Sequence, residues 1–310
     1  MGWKVIHLTK PCKIKIKHEN LLLSFYEDEN EMKVIIKDID FILFDNTQFS
    51  ITGKVLELLS KNNIATLFID EEFTPCGIYT PYYQHSTMTE IAHIQISITK
   101  EYKKKVWQNI IKSKLTNNAK VLELCQNKDY ILLEKLATKV QIYDKNNDEA
   151  QGARIYWKTL FHNPHFRREQ GAKDIYNVML NYGYAIIRAT MARSVSASGL
   201  IPIFGIWHQN KYNAFNLVDD LIEPFRAFVD IHIKILRREF EAKLFLDVDL
   251  KRKIVSLLHF ECVNINNGTT NLLKAIEIFV IHYKKAMIDD DTDLIKYPTI
   301  NEKYFKYECL

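Results

Sequence analysis

A two-domain α+β fold, a small β-rich domain followed by a larger all-helical one, is what this chain predicts, and three observations predict it. Short runs near the start alternate apolar and polar residues, helical spacing takes over from about residue 90, and a Pro, Gly and Tyr cluster lies between. At 310 residues there is room for two cores, on a prior of about 150 residues per domain.

The elements follow in order. Residues 12–17 (Cys-Lys-Ile-Lys-Ile-Lys) alternate strictly, as a half-buried strand does. Residues 21–25 and 32–36 flank the acidic run 27–31, which reads as a hairpin with a solvated tip. Another strand at 41–44 precedes a short helix within 50–60 and a further strand at 64–69. Pro75, Gly77 and Pro81, with Tyr82, Tyr83 and Gln84, mark the linker, dividing the chain into residues 1–84 and 85–310. Beyond it the spacing predicts helices within 96–114, 130–142, 174–192, 217–245, 250–260 and 270–287. Pro224 lies inside one of these, where it removes a backbone donor and disfavours helical geometry at Glu223, so a kink or a restart is expected there.

Bulk properties exclude several classes. Hydrophobic residues make up 47% and charged residues 26%, which describes an ordinary folded protein and not a disordered or fibrous one. No apolar run approaches the ~20 residues that span a bilayer, and the N-terminus lacks the continuous apolar core of a signal peptide. Ile6 stands where a myristoylation signal needs Ser or Thr, so a cytoplasmic protein without membrane association is expected. Five scattered cysteines with no Cys-x-x-Cys pair argue against disulfide and zinc frameworks. The net charge of +4 is compatible with a basic face for nucleic acid but does not require one.

The chemistry concentrates in residues 205–226. His208 precedes the acidic pair Asp219 and Asp220, and Glu223 follows; a helical turn puts Asp220 and Glu223 on one face. Glu149, ahead of a segment of small, apolar and aromatic residues, is the candidate for the other half of a metal site. Three carboxylates and one imidazole suit manganese or magnesium better than zinc, and such an ion assists phosphate chemistry. Arg154, Arg167, Arg168 and Lys173 form a basic stretch suited to DNA phosphates. Asp219 reads as the solvated member of its pair, and Trp157 and Trp207 as core. His162 and His165 have metal-binding side chains, but Pro164 breaks any helix between them and no acid adjoins, so they read as a loop feature.

Four motifs together, residues 149–157, 181–188, 199–208 and 220–226, resemble the CRISPR-associated integrase, the metal-dependent nuclease subunit of the spacer-acquisition machinery. The wording is most similar to versions from type II systems, and the likeness covers essentially the whole chain. It implies a metal held by Glu149, His208 and Glu223, with Asp220 a further acidic group of the catalytic site. It also implies a homodimer whose N-terminal β domain carries dimerisation and partner contacts. Two such dimers would flank a dimer of the smaller second adaptation protein, in contact with other type II CRISPR proteins. The implied substrates are a short DNA duplex with free 3′ ends and the CRISPR repeat, joined by transesterification in adaptive immunity against foreign DNA. Two other readings of the residues stay open: a metal nuclease acting on branched DNA, and a non-catalytic DNA-binding scaffold whose acids only cap and solvate helices.

Overall fold

Strict alternation in the run Cys12–Lys17 becomes a strand in which Cys12 and Ile14 are fully buried while Lys13 and Lys15 face solvent. The computed structural model describes residues 2–27, 31–70, 75–79, 87–144, 146–161, 166–169, 171–239 and 244–305. It divides into two units, Met1–Ser86 and Thr87–Leu310.

The first unit contains β1 (Lys4–Leu8), β2 (Cys12–Lys17), β3 (Asn20–Phe25), β4 (Glu31–Ile35), β5 (Ile39–Phe44), β6 (Phe49–Ile51), α1 (Gly53–Lys61), β7 (Ala65–Ile69) and β8 (Pro75–Tyr79). They form two four-stranded sheets, ordered β1-β5-β7-β8 and β4-β3-β2-β6. Lys17 pairs with Asn20, so β2 and β3 are joined by His18 and Glu19 alone, both in the left-handed region that a two-residue hairpin favours. Ile6, Leu8, Ile14, Leu21, Leu23, Ile42 and Phe44 from both sheets, with Val55 and Leu59 of α1, make one core. Pro75 and Gly77 do not mark a linker: both lie in β8, antiparallel to β7, at the sheet edge where a missing backbone donor is tolerated. Pro81 to Gln84, and residues 28–30 of the acidic tip, lie outside the described residues.

The second unit is mainly helical: α2 (Met88–Ser97), α3 (Lys100–Leu124), α4 (Tyr130–Lys139), α5 (Asp148–Leu160), α6 (Ile175–Ala197), α7 (Asn216–Leu221), α8 (Arg226–Glu239), α9 (Val248–Ser256), α10 (Leu272–Ile288) and α11 (Glu302–Phe305). Between α9 and α11 it also carries a small antiparallel sheet, β10-β9-β11, formed by β9 (Val263–Ile265), β10 (Gly268–Thr270) and β11 (Thr299–Ile300). Strands of two and three residues are too short to display an alternating pattern, which is why the spacing there predicts helix alone. Helix α6, buried on most sides, packs against α7, α8, α9 and α10. Helix α3 lies against α4, α5, α7 and α8. Gly152 permits the close approach of α5, since a Cβ there would stand 2.3 Å from Cδ2 of Leu115 in α3. Among the described residues no helix is long and apolar enough to cross a membrane.

Candidate active site

Glu149 owes its position to the first turn of α5. The chain enters through Asn147 in the left-handed region, and the Asp144 carboxylate accepts hydrogen bonds from the backbone N–H groups of Asp148 (2.7 Å) and Glu149 (3.0 Å). Glu223 is held by a different device. Helix α7 stops at Leu221, residues Glu223–Phe225 make one turn of 3-10 helix with Pro224 in its first positions, and α8 restarts at Arg226. The restart expected at Pro224 is therefore present. From α3, the buried Asn117 side chain donates to the Pro224 carbonyl (2.9 Å) and to the Pro298 carbonyl (3.0 Å), pinning that turn.

One helical turn before Asn117, Lys114 reaches into the space between the two acids. Its Nζ lies 2.6 Å from Oε1 of Glu149 and 2.7 Å from Oε2 of Glu223. Arg226 donates from Nε to the other Glu223 oxygen at 2.8 Å. Burial by itself would raise the Glu223 carboxyl, but Arg226 and Lys114 outweigh it and hold it at about 2. Burial likewise opposes the charge on Lys114, and Glu223 and Glu149 more than compensate, leaving the ammonium above its ordinary value.

His208 and Asp220 form the second part. Asp220 is fully buried, and its oxygens are saturated. Oδ2 accepts from the N–H groups of Ile206 (2.6 Å) and Trp207 (2.9 Å), and Oδ1 from the His208 N–H (3.3 Å) and Nδ1 (2.5 Å). Gly205 allows this loop to close on itself, because a Cβ there would meet the His208 carbonyl at 2.1 Å and Asp220 Oδ2 at 3.1 Å. Asp220 thus shapes the loop and orients the imidazole, and has no lone pair turned toward an ion. The ring of His208 stands edge-on to Trp107 at 5.7 Å, and its side chain is 48% exposed. The hydrogen bond to Asp220 raises the imidazole above its ordinary value against partial burial, and Asp220, Glu223 and Glu149 all favour the charged ring.

The structure brings Glu149, Glu223, His208 and Asp220 into one electrostatic neighbourhood. It does not converge three of them on a single point: among the described residues no three His, Cys, Asp or Glu side chains already do so. The physical reason is visible, since Lys114 fills the gap between the glutamates and Nδ1 of His208 is turned to Asp220.

The surrounding residues differ in detail from the sequence reading. Asp219 is not solvated; it makes a bidentate pair with Arg188 (2.6 and 3.1 Å) and accepts from Asn213, which fixes the loop between His208 and α7. Trp207 is 40% exposed, stacked on the buried Trp107 at 5.5 Å, and Trp157 is half-buried. Arg154, Arg167 and Lys173 are exposed. Arg168 is turned inward, donating to the side chains of Asn177 and Asn181 and lying over the Tyr184 ring at 5.1 Å. His162 and His165 lie outside the described residues.

Three contributors were given no role by the sequence reading. Lys114 is one of seven lysines in α3, and nothing in its spacing distinguishes it. Arg226 connects Glu223 to the Tyr184 ring (4.7 Å), and Asp230 accepts from Tyr156 (3.0 Å) and Tyr184 beneath the site. Burial pushes the Asp230 carboxyl up to about 7 despite those donors and the nearby Arg226 and Arg168.

The family model described as CRISPR associated protein Cas1 matches residues 6–247. This chain belongs to the Cas1 family. A CRISPR-associated endonuclease Cas1 from Neisseria meningitidis serogroup C (strain 8013) is 31% identical over 311 residues, covering 99% of this chain and 100% of that one. A Cas1 endonuclease of Saccharolobus solfataricus is 26% identical over 72% of each chain. Among solved structures, a casposase bound to integration product is similar with a TM-score of 0.77 and 20% identity, over 94% of this chain and 92% of that one. A Cas1 protein from Thermotoga maritima follows at 0.75 and 16%, over 92% and 97%. A Cas6-RT-Cas1–Cas2 complex gives 0.75 and 18%, over 95% of this chain and 36% of the other. At these identities the structural likenesses establish the shared fold, a β-rich N-terminal region and a helical C-terminal region, and the sequence matches establish the Cas1 family named by the four motifs.

Proposed function

We propose that this chain is a divalent-metal-dependent DNA integrase and endonuclease of CRISPR spacer acquisition, joining short duplexes to repeat borders. The observation that carries the reading is the pairing of Glu149 and Glu223, from separate elements of a Cas1-family chain, around one cation beside a carboxylate-oriented His208.

Manganese or magnesium fits the residues present. Glu223 Oε2 is buried and accepts no directed hydrogen bond, although the Lys114 ammonium is close by, so it keeps a lone pair for a cation. Glu149 keeps a solvent-facing edge. With Nδ1 of His208 engaged by Asp220, Nε2 is the nitrogen left to ligate, the usual arrangement of a metal-bound histidine and its outer carboxylate. When bound, the ion supplies positive charge to the scissile phosphate and acidifies an attacking hydroxyl.

The protein's own groups do the rest. Asp220 holds the imidazole in one orientation, and Arg226 keeps Glu223 ionised and aligned. Arg154, Arg167 and Lys173 present exposed cations for backbone phosphates. In the joining step the incoming 3′ oxygen bonds to phosphorus, the phosphorus bond to the array's 3′ oxygen breaks, and that oxygen departs as a new 3′-hydroxyl after taking up a proton. One phosphodiester replaces another, so positioning in line is the main demand on the site. The proposed partners are a second copy of the chain, contacting through the N-terminal unit, and Cas2, which is named alongside Cas1 in one complex of similar fold.

An assay with short duplex DNA, repeat DNA, the small partner and manganese tests the whole reading. E149A and H208A should each abolish joining while melting as folded proteins. Undiminished joining by both variants would remove the assigned site, and cleavage of branched DNA with no preference for the repeat would favour the general nuclease. A melting temperature unmoved by manganese would favour the non-catalytic scaffold.

A further inference from the structure

We propose that Lys114 is a built-in stand-in for the divalent ion: its ammonium gathers Glu149 and Glu223 in the metal-free protein and must leave them when the ion binds. The inference rests on the metal reading above and concerns how the site is kept ready.

Three observations carry it. The Lys114 ammonium touches one oxygen of each glutamate, at 2.6 and 2.7 Å, and these acids come from separate elements, the first turn of α5 and the turn before α8. Its side chain is only 16% exposed, so water replaces it poorly as a screen between two carboxylates. Finally, Arg226 already takes Oε1 of Glu223, and Oε2 is the oxygen that Lys114 and an ion would have to share.

An ion coordinated by these oxygens at about 2.1 Å cannot coexist with an ammonium in the same gap. Lys114 and the metal are therefore competitors, and the lysine trades metal affinity for a site that stays assembled without metal. Lysine suits this exchange better than arginine: a point charge on a flexible stem withdraws, whereas a planar guanidinium would clamp both carboxylates.

Manganese titration by calorimetry, with melting curves recorded in chelator, separates the outcomes. Lys114→Met should melt lower than wild type in chelator, bind manganese about tenfold more tightly, and gain more melting temperature from it. Lys114→Arg, which keeps the charge and the fold, should melt like wild type in chelator and bind manganese more weakly. Equal or weaker binding by Lys114→Met overturns the proposal; should that variant not fold, binding by Lys114→Arg equal to wild type overturns it instead. If wild type binds manganese and His208→Ala does not, an unchanged affinity in the Lys114 variants sinks this inference alone. No binding by wild type sinks the metal reading and this inference with it.

Discussion

Asp220 illustrates how a buried carboxylate can serve a site by organising its neighbours. Its four donors include three backbone N–H groups, so its charge organises the stretch from Ile206 to His208 before it orients the ring. Asn at this position offers one acceptor oxygen and turns two donors toward donors. D220N should therefore lower joining by about 10–100-fold through loss of imidazole orientation, with a drop in stability that urea unfolding measures. A variant that matched wild type in both would show that the hydrogen bonds to Asp220 are dispensable. Arg168 makes the complementary point. Its guanidinium is occupied by Asn177, Asn181 and the Tyr184 ring, so R168A should lower the melting temperature and leave the salt dependence of DNA binding unchanged. A smaller salt slope with an unchanged melting temperature would place Arg168 on DNA instead.

Three helices meet at Asp230. The carboxylate on α8 accepts from Tyr156 on α5 and Tyr184 on α6, and Tyr184 in turn lies under Arg226, the partner of Glu223. The network links the elements bearing both glutamates to one buried acid. Its pH dependence has a definite sign. The folded carboxyl sits at about 7, above an unfolded value near 3.9, so the folded state holds the extra proton between them. The stability contributed by the protonated form is complete below about pH 4 and is lost as pH rises toward 7. Unfolding by urea from pH 4 to 7.5 should show this decline, amounting to a few kcal/mol, and D230N should flatten it. A D230N profile parallel to wild type would mean that the decline has another source.

At the scale of the molecule, a net charge of +4 attracts DNA only if the basic residues are gathered where DNA lies. Arg154, Arg167 and Lys173 are exposed and clustered in sequence around α5 and the approach to α6. Replacing all three by Ala should reduce the slope of log affinity against log salt by about one per lost phosphate contact, read by fluorescence anisotropy on duplex DNA. An unchanged slope would move the DNA track to another face. Within the helical unit, α3 packs against both α5 and the turn before α8 and gives the acids a rigid support.

Much of this was legible in the chain. Alternation marked β2 because one face of a sheet is buried and the other wet, and helical spacing marked α3 and α6 for the corresponding reason. Pro224 announced its own helix break through a missing donor. Residue types at Glu149, His208 and Glu223 suggested the hard-cation chemistry proposed above, and the motifs around them announced Cas1. Periodicity could not announce β9 to β11, too short to repeat, nor β8, whose Pro75 and Gly77 carry the signature of a turn. Pairing lay further out of reach. That Asp219 binds Arg188, that Asp220 serves the backbone of the His208 loop, and that Lys114 of α3 points between Glu149 and Glu223 are outcomes of packing. Local sequence decides what a segment forms and what chemistry it carries; which charges meet depends on residues brought from 35 and 109 positions away, and only the closed core sets those distances.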